Sequence, residues 1–206
     1  MLGELVADVH ARASAEHAGE GASYIPALAE ADPEDFGLAI VTSSGDVHTA
    51  GDADVEFTIQ SVSKPFSLAL ALATCGHEAT YARVGTEPSG DTFNSVVLDP
   101  VTSVPFNPMI NSGAIAMTGL LRDTYGPDAF GEIKRGYERF AGADLGYDAE
   151  VYESELATAH RNRAIAHLMR GGGVVTDPVE DVVALYTRQC SLTVTATKLA
   201  TMAATQ

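Results

Sequence analysis

The pattern of apolar and polar positions divides the chain into a beginning that contains β-structure and a longer helical remainder. Near the N-terminus apolar residues recur every three or four positions, which predicts an amphipathic helix over residues 2–17. The apolar run at residues 36–42 and the segment 47–50 flank the turn-rich residues 43–46. This arrangement is typical of a β-hairpin, and it is the one clear hairpin that the pattern predicts.

Helical spacing dominates the chain after residue 61. The almost wholly apolar segment 66–73 predicts a buried helix, and Pro65, which fits only the first turn, places its start at residues 62–64. Further helices are expected from residue 111 or 112 to 122 and over residues 127–141, 148–169, 178–190 and 194–205. The pattern therefore predicts an α/β chain with one hairpin and a mostly helical body. A sheet of two strands has only marginal stability by itself. We therefore expect that this sheet lacks the strands that would complete it.

Composition narrows the classes of function. The chain has 206 residues, of which 46% are hydrophobic, and its formal net charge is −16 at pH 7. That charge argues against binding to nucleic acid or to an anionic membrane surface. The sequence contains no apolar stretch of about eighteen residues, and residues 1–19 lack the basic start and apolar centre of a signal peptide. We therefore expect a cytoplasmic protein without a membrane partner.

Neither the cysteines nor the histidines form a metal-binding pattern. Cys75 and Cys190 are far apart and lie outside any metal-spaced motif, which favours reduced, buried thiols. His160 and His167 are seven residues apart, whereas a helical zinc pair has a spacing of four. The sequence thus predicts no metal site.

The most informative short motif is Ser61-Val62-Ser63-Lys64, where an apolar approach meets the start of the predicted buried helix. Residues i and i+3 share a face in the first helical turn, so Lys64 can lie beside Ser61. A desolvated, neutral lysine can take the proton of a serine that attacks a carbonyl carbon. The alternative is structural, with Ser61 or Ser63 capping the helix and Lys64 extending to solvent.

Three polar residues farther along the chain also allow two interpretations. Asn111 either caps a helix or offers its amide to a polar substrate. Glu155 and Asn162, seven residues apart, would share one face of one helix, either as a solvated surface or as a carboxylate and an amide directed into a pocket. In the second case Glu155 would pair with a substrate ammonium group. The position of Tyr186 is typical of a residue that packs in the core and whose hydroxyl is hydrogen bonded.

Several runs together resemble the serine-dependent glutaminase family, which is related to serine β-lactamases and penicillin-binding proteins. The most specific run is NPMINSGAI at residues 107–115. The others are YIPALA at 24–29, QSVSKPF at 60–66, EPSG at 87–90 with FN at 93–94, SE at 154–155 with RN at 161–162, and Tyr186 before CSL at 190–192. They follow the family's order and spacing over nearly the whole chain.

This resemblance implies a single β-lactamase-like domain, with residues 1–60 as its helix and hairpin part and residues 61–206 as its helical part. It implies hydrolysis of L-glutamine by water to L-glutamate and ammonia, without a metal or organic cofactor, in a homo-oligomer such as a dimer or tetramer. The roles carried over are Ser61 as nucleophile, Lys64 as its general base and Tyr24 as a group for binding and proton transfer. The substrate-binding positions are Gln60, Ser61, Asn111, Glu155, Asn162 and Tyr186.

One departure from the family pattern qualifies this expectation. The family continues for about a hundred further residues, a stretch that includes a Lys-Ser-Gly-like strand whose backbone completes the oxyanion hole. No Lys-Ser/Thr-Gly occurs here, so the sequence is interpreted as a truncated glutaminase whose C-terminal sheet strands are absent. Loss of one oxyanion donor costs about 100- to 1000-fold in rate. The alternatives are an inactive fragment that serves as an oligomerisation partner and a penicillin-interactive serine acyl enzyme.

Overall fold

A computed structural model describes residues 1–205 of the chain and contains two small sheets and a helical body. The helices are α1 Leu2–Ala13, α2 Ser63–Tyr81, α3 Asn111–Tyr125, α4 Ala129–Ala141, α5 Ala149–Thr158, α6 His160–Gly171, α7 Val179–Cys190 and α8 Ala196–Ala204. The strands are β1 Gly37–Val41, β2 Val47–Gly51, β3 Phe57–Thr58, β4 Gly146–Tyr147 and β5 Leu192–Val194. Short 3₁₀ turns cover Pro26–Glu30, Gln60–Val62 and Gly126–Asp128.

The hydrophobic core is built around α3, whose residues 111–121 are all buried. Helices α2, α4, α6 and α7 pack against it. Small residues allow other parts of the chain to approach α3 closely, most clearly at Gly113. A Cβ atom there would lie 2.0 Å from the Asn107 carbonyl oxygen, so no larger residue fits without a backbone shift. The chain before α3 is thereby held tightly against the start of that helix.

The predicted hairpin is confirmed. Strands β1 and β2 pair antiparallel with Leu38 opposite Ala50 and Ile40 opposite His48. Helix α1 packs on β2, while α8 packs on β1. Helix α1 ends at Ala13, about one turn before the predicted end at residue 17.

A second sheet was not predicted from the sequence. It has the order β3-β5-β4, with Phe57 opposite Val194 and Gly146 opposite Thr193. Val194 therefore ends a strand. The expectation that the last helix begins at Val194 is wrong by two residues, because α8 starts at Ala196. The central strand of this sheet supports the segment that leads to Ser61.

The expectation of one helix over residues 148–169 is also wrong. Helix α5 ends at Thr158, and Ala159 has ψ of 30°, so the chain turns before α6 begins at His160. Glu155 and Asn162 thus lie on two different helices. By contrast, the predicted start of the Ser61 helix is confirmed, since α2 begins at Ser63. This helix is interrupted near its middle, where Gly76 has φ of 81°.

The expectations about membrane spans and thiols can be compared directly with the structure. Within residues 1–205, no helix has the length and apolar character needed to cross a bilayer. Cys190 is buried, Cys75 is half-buried, and neither forms a disulfide.

Candidate active site

The position of Ser61 is set by the second sheet and by an unusual backbone conformation just before it. The Ile59 N–H donates to the Leu192 carbonyl at 2.8 Å, which extends the β3–β5 pairing by one residue. Gln60 then adopts φ of 48°, in the left-handed region, and the chain enters the 3₁₀ turn that leads into α2. A non-glycine residue in this region costs on the order of 1 kcal/mol. The turn leaves Ser61 exposed.

Lys64 lies on the first turn of α2 and is only 4% exposed. Its Nζ donates to Asn111 Oδ1 at 2.8 Å and lies 5.5 Å from the centre of the Phe93 ring. Burial lowers the pKa of Lys64, although the nearby Cys190 acts in the opposite direction. The interpretation of Lys64 as a solvent-directed residue is therefore wrong. In residues 1–205, Lys64 hydrogen bonds to Asn111 and not to Ser61, and no side-chain cap begins α2.

Asn111 is the first residue of α3 rather than its cap, which is Ile110. Its side chain instead connects Lys64 to Asn162, because its Nδ2 donates to Asn162 Oδ1 at 3.1 Å. Because Lys64 Nζ donates to the Asn111 oxygen, the NH₂ group of Asn111 is left to donate to Asn162. Asn162 then accepts with its oxygen, which leaves its own NH₂ group available as a donor.

Glu155 is a buried carboxylate without a partner on one of its oxygens. The residue is 9% exposed, and within residues 1–205 its Oε2 accepts no hydrogen bond. Burial raises the pKa of Glu155 to about 7, although contact with the Gln60 amide opposes the shift. Because the chain turns at Ala159, Glu155 and Asn162 reach the same cavity from two helices rather than from one face. The carboxylate is suited to receive a cationic group from a ligand.

Two tyrosines differ in their surroundings. Tyr186 on α7 is buried, and burial raises its pKa well above the ordinary value of 10, with Cys190 and Glu155 contributing in the same direction. Tyr24, which precedes the first 3₁₀ turn, is 66% exposed. Its pKa is also raised, first by partial desolvation and then by the Glu155 carboxylate and the Cys190 thiol.

A cavity of about 290 Å³ brings most of the predicted residues together. Seven of the eight line it: Tyr24, Gln60, Ser61, Asn111, Glu155, Asn162 and Tyr186. Lys64 lines an adjoining space of about 300 Å³ together with Tyr24, Ser61, Phe93 and Met109. A larger groove of about 720 Å³ between α3, α4 and α7 contains none of the eight residues. Across residues 1–205 there is no cluster of three metal-ligating side chains.

Three residues that line the cavity had no role predicted from the sequence. Cys190 lies four residues after Tyr186 on α7, so helical spacing alone places both on one face. Phe93 covers Lys64, and its carbonyl accepts from the Asn111 N–H at 2.8 Å. Arg161 donates to the Asn94 carbonyl at 3.2 Å and thus fixes the same loop from α6. These loop contacts join distant segments, and no local sequence pattern indicates them.

Comparison with known proteins gives a consistent result. The family model described as Glutaminase matches residues 19–206. "Glutaminase 2" of Bradyrhizobium diazoefficiens is 48% identical over 204 residues, which are 99% of this chain and 32% of that protein. The chain therefore spans about a third of the length of this curated relative.

Solved structures extend the similarity to the fold. The structure of the probable glutaminase ybaS matches with a TM-score of 0.93 and 36% identity, over 99% of this chain and 66% of that one. A probable glutaminase from Bacillus subtilis, solved with 6-diazo-5-oxo-L-norleucine, matches with a TM-score of 0.81 and 30% identity, over 94% of this chain and 59% of that one. The predicted α/β fold class is thereby confirmed.

Proposed function

The chain belongs to the glutaminase family, and on this premise we propose that it hydrolyses the side-chain amide of L-glutamine through an acyl-enzyme formed on Ser61. The products are L-glutamate and ammonia. The buried residues of the cavity recognise the α-amino acid group, and the turn at Ser61 and Lys64 carries out the chemistry.

The observation that carries this proposal is the unpartnered oxygen of Glu155 in the same cavity as Ser61. Burying a carboxylate without a partner is costly, and a ligand ammonium group at this oxygen offsets the cost. Within residues 1–205 the NH₂ group of Asn162 donates no hydrogen bond, and it suits the α-carboxylate of the same ligand. A carboxylate and a neutral donor that line the same cavity fit a zwitterionic amino acid better than a simple amide.

The size of the cavity supports a small substrate. Its volume of about 290 Å³ is at the lower limit of the range of about 300–1,000 Å³ that is usual for ligand pockets. Ser61 stands where the cavity meets the space that Lys64 lines. A ligand whose α-amino group lies at Glu155 thus extends its side-chain amide toward Ser61.

In the first step the Ser61 oxygen attacks the amide carbon of glutamine and the neutral Lys64 amine accepts the serine proton. The negative oxygen of the intermediate is stabilised by the Ser61 N–H, which lies at the start of a helical turn where N–H groups lack an internal acceptor. The carbon–nitrogen bond then breaks. The leaving nitrogen takes the proton back from Lys64, directly or through the Tyr24 hydroxyl, and departs as ammonia.

In the second step a water molecule attacks the ester that joins Ser61 to the glutamyl group. Lys64 accepts a proton from this water, and the ester bond breaks. The proton passes to the Ser61 oxygen, and L-glutamate leaves. Lys64 therefore ends the cycle as a neutral amine, as burial favours.

The test uses a reactive glutamine analogue and the natural substrate. The chain is incubated with 6-diazo-5-oxo-L-norleucine, and the adduct is located by mass spectrometry of peptides, while ammonia release from L-glutamine is measured in parallel. We expect one adduct on Ser61, no adduct in Ser61→Ala, and normal labelling in Ser44→Ala, which changes an exposed serine of the hairpin turn.

Two results would contradict the proposal. Equal ammonia release from the unchanged chain and from Ser61→Ala, at high protein concentration, would mean that the chain is not a working glutaminase. Stable labelling of Ser61 by a fluorescent penicillin, without labelling by the glutamine analogue, would favour a penicillin-interactive acyl enzyme. Thermal unfolding of each variant ensures that folded proteins are compared.

A further inference from the structure

A chain of three hydrogen-bonding groups lies beneath the first turn of α2, away from the cavity. The hydroxyl of Tyr137 on α4 donates to the Ser63 carbonyl oxygen at 3.1 Å and lies 2.6 Å from Ser67 Oγ. A tyrosine hydroxyl has a single hydrogen. Since that hydrogen is directed to the Ser63 carbonyl, Ser67 donates its own hydrogen to the Tyr137 oxygen.

The Ser63 carbonyl belongs to the peptide group that joins Ser63 to Lys64. Lys64 is thus held at two points from two helices, its backbone by Tyr137 of α4 and its side chain by Asn111 of α3. Rotation of this peptide group changes the direction in which the Lys64 side chain leaves the helix. The hydrogen bond from Tyr137 opposes that rotation.

The surroundings of Tyr137 suit a permanent donor. The side chain is fully buried, and its ring meets that of Phe66 edge-on with 6.1 Å between ring centres. Burial raises the pKa of Tyr137 above its ordinary value, which keeps the hydroxyl protonated. Burying a hydroxyl costs free energy unless it is hydrogen bonded, so phenylalanine would be the simpler residue for packing alone.

We propose that Tyr137 is a positioning residue, which fixes the Ser63–Lys64 peptide group and so holds the Lys64 amine in the space that it lines together with Ser61. The proposal rests on the proposed function, in which Lys64 is the general base. It adds to that function a residue that lies outside the cavity and touches no substrate. Ser67 has a supporting role, because it donates to the Tyr137 oxygen and orients the hydroxyl.

The first experiment compares two tyrosine variants by kinetics. Tyr137→Phe removes the hydroxyl and keeps the ring, and Tyr125→Phe is the matched control, because its hydroxyl also bonds a hydroxyl of α2, at Thr74 and 2.8 Å, but far from Lys64. We expect Tyr137→Phe to slow labelling of Ser61 by 6-diazo-5-oxo-L-norleucine, and kcat for L-glutamine, by about 5- to 30-fold. KM should change less than about twofold, and Tyr125→Phe should match the unchanged chain.

A second measurement reports on Lys64 without any reaction. The chain has only three lysines, Lys64, Lys134 and Lys198, so lysine labelled with ¹³C at Cε gives three NMR signals that single Lys→Arg variants assign. We expect Tyr137→Phe to move the Lys64 signal and the midpoint of its titration, and Tyr125→Phe to leave both unchanged. Ser67→Ala should give a smaller change of the same kind, with about a 2- to 5-fold loss of rate.

The outcomes separate this proposal from the proposed function. If Tyr137→Phe lowers the melting temperature but leaves kcat and the Lys64 signal unchanged, Tyr137 has only a structural role and the proposal is wrong. If the unchanged chain neither reacts with the analogue nor hydrolyses glutamine, the proposed function fails, and the proposal fails with it. If Tyr137→Phe does not fold, Ser67→Ala provides the test. An unchanged rate and an unchanged Lys64 NMR signal in Ser67→Ala would overturn the proposal.

Discussion

The two sides of the cavity are built differently. Its inner wall, which we define as Asn111, Glu155 and Asn162 of the cavity together with Lys64 of the adjoining space, consists of helical side chains. Lys64, Asn111 and Glu155 are at most 9% exposed. Its rim, which we define as Tyr24 and Phe93, lies on loops, with Tyr24 66% and Phe93 55% exposed. Helices therefore position the inner wall and shield most of it from water, whereas most of the rim surface is exposed.

The charges on the inner wall extend this contrast. Within residues 1–205 no salt bridge joins Lys64 to Glu155. Burial lowers the pKa of Lys64 and raises the pKa of Glu155, and both shifts favour the neutral group. Water is partly excluded from both groups, so each gains from meeting the complementary charge or proton of a substrate. The rim residues do not carry a comparable free-energy cost from a buried charge. Substitutions on the inner wall should therefore have larger effects than substitutions on the rim.

The largest effect is expected for Lys64→Ala. Removing the proposed general base costs about 100- to 10,000-fold, so labelling of Ser61 and release of ammonia should fall to about 1% or less. The change also leaves Asn111 Oδ1 without its donor, which costs about 1–3 kcal/mol of stability. Lys198→Ala, which removes a lysine paired with Glu56 at 3.2 Å, should keep full activity. Retention of more than a few per cent of activity by Lys64→Ala would exclude Lys64 as the base.

The contrast between wall and rim also shows what the sequence could predict. Local sequence preferences were enough to predict the hairpin and the start of α2, because turn residues and Pro65 affect only the few positions around them. For Asn111 the sequence left a helix cap and a substrate-binding amide open. The cap interpretation is wrong, because Ile110 is the cap and the Asn111 side chain hydrogen bonds to Lys64 and Asn162. Those partners are distant in the sequence, and no periodicity indicates them.

Elements of two or three residues were missed for a related reason. Strands β3, β4 and β5 are too short to show alternation, and they exist because segments from three parts of the chain pair with one another. The break between α5 and α6 was also missed, since no glycine or proline marks it at Ala159. Glu155 and Asn162 nevertheless face one cavity, so the predicted grouping agreed with the structure although its helical reason was wrong.

An intermediate effect is expected for Glu155→Gln. The variant keeps the shape of the side chain but loses the charge that we propose receives an ammonium group, so affinity for L-glutamate should fall by about 10- to 100-fold. Calorimetric titration measures this change. Glu153→Gln alters an exposed carboxylate on the same helix and should bind normally. Unchanged affinity in Glu155→Gln would remove the ammonium site from the proposed function.

The same variant has a pH signature. The pKa of Glu155 is raised from 4.5 to about 7, so the folded chain binds more protons than the unfolded chain between these values. Stability due to this group is therefore full below pH 4.5 and is lost as pH rises through 7. The shift corresponds to about 3 kcal/mol at 1.36 kcal/mol per pKa unit. Urea unfolding should show Glu155→Gln gaining stability over the unchanged chain at pH 8 relative to pH 4.5, and a constant difference would contradict the assignment.

The smallest effect is expected on the rim, for Tyr24→Phe. Most of this side chain is already in water, so loss of its hydroxyl should leave the melting temperature within about 1 °C. Lys64 can return its proton directly to the leaving nitrogen, so kcat should fall only about 3- to 10-fold. Tyr152→Phe, at a half-buried tyrosine outside the cavity, serves as the control. A loss as large as that of Lys64→Ala would place the essential proton transfer on the rim, and the inner wall would then only bind the substrate.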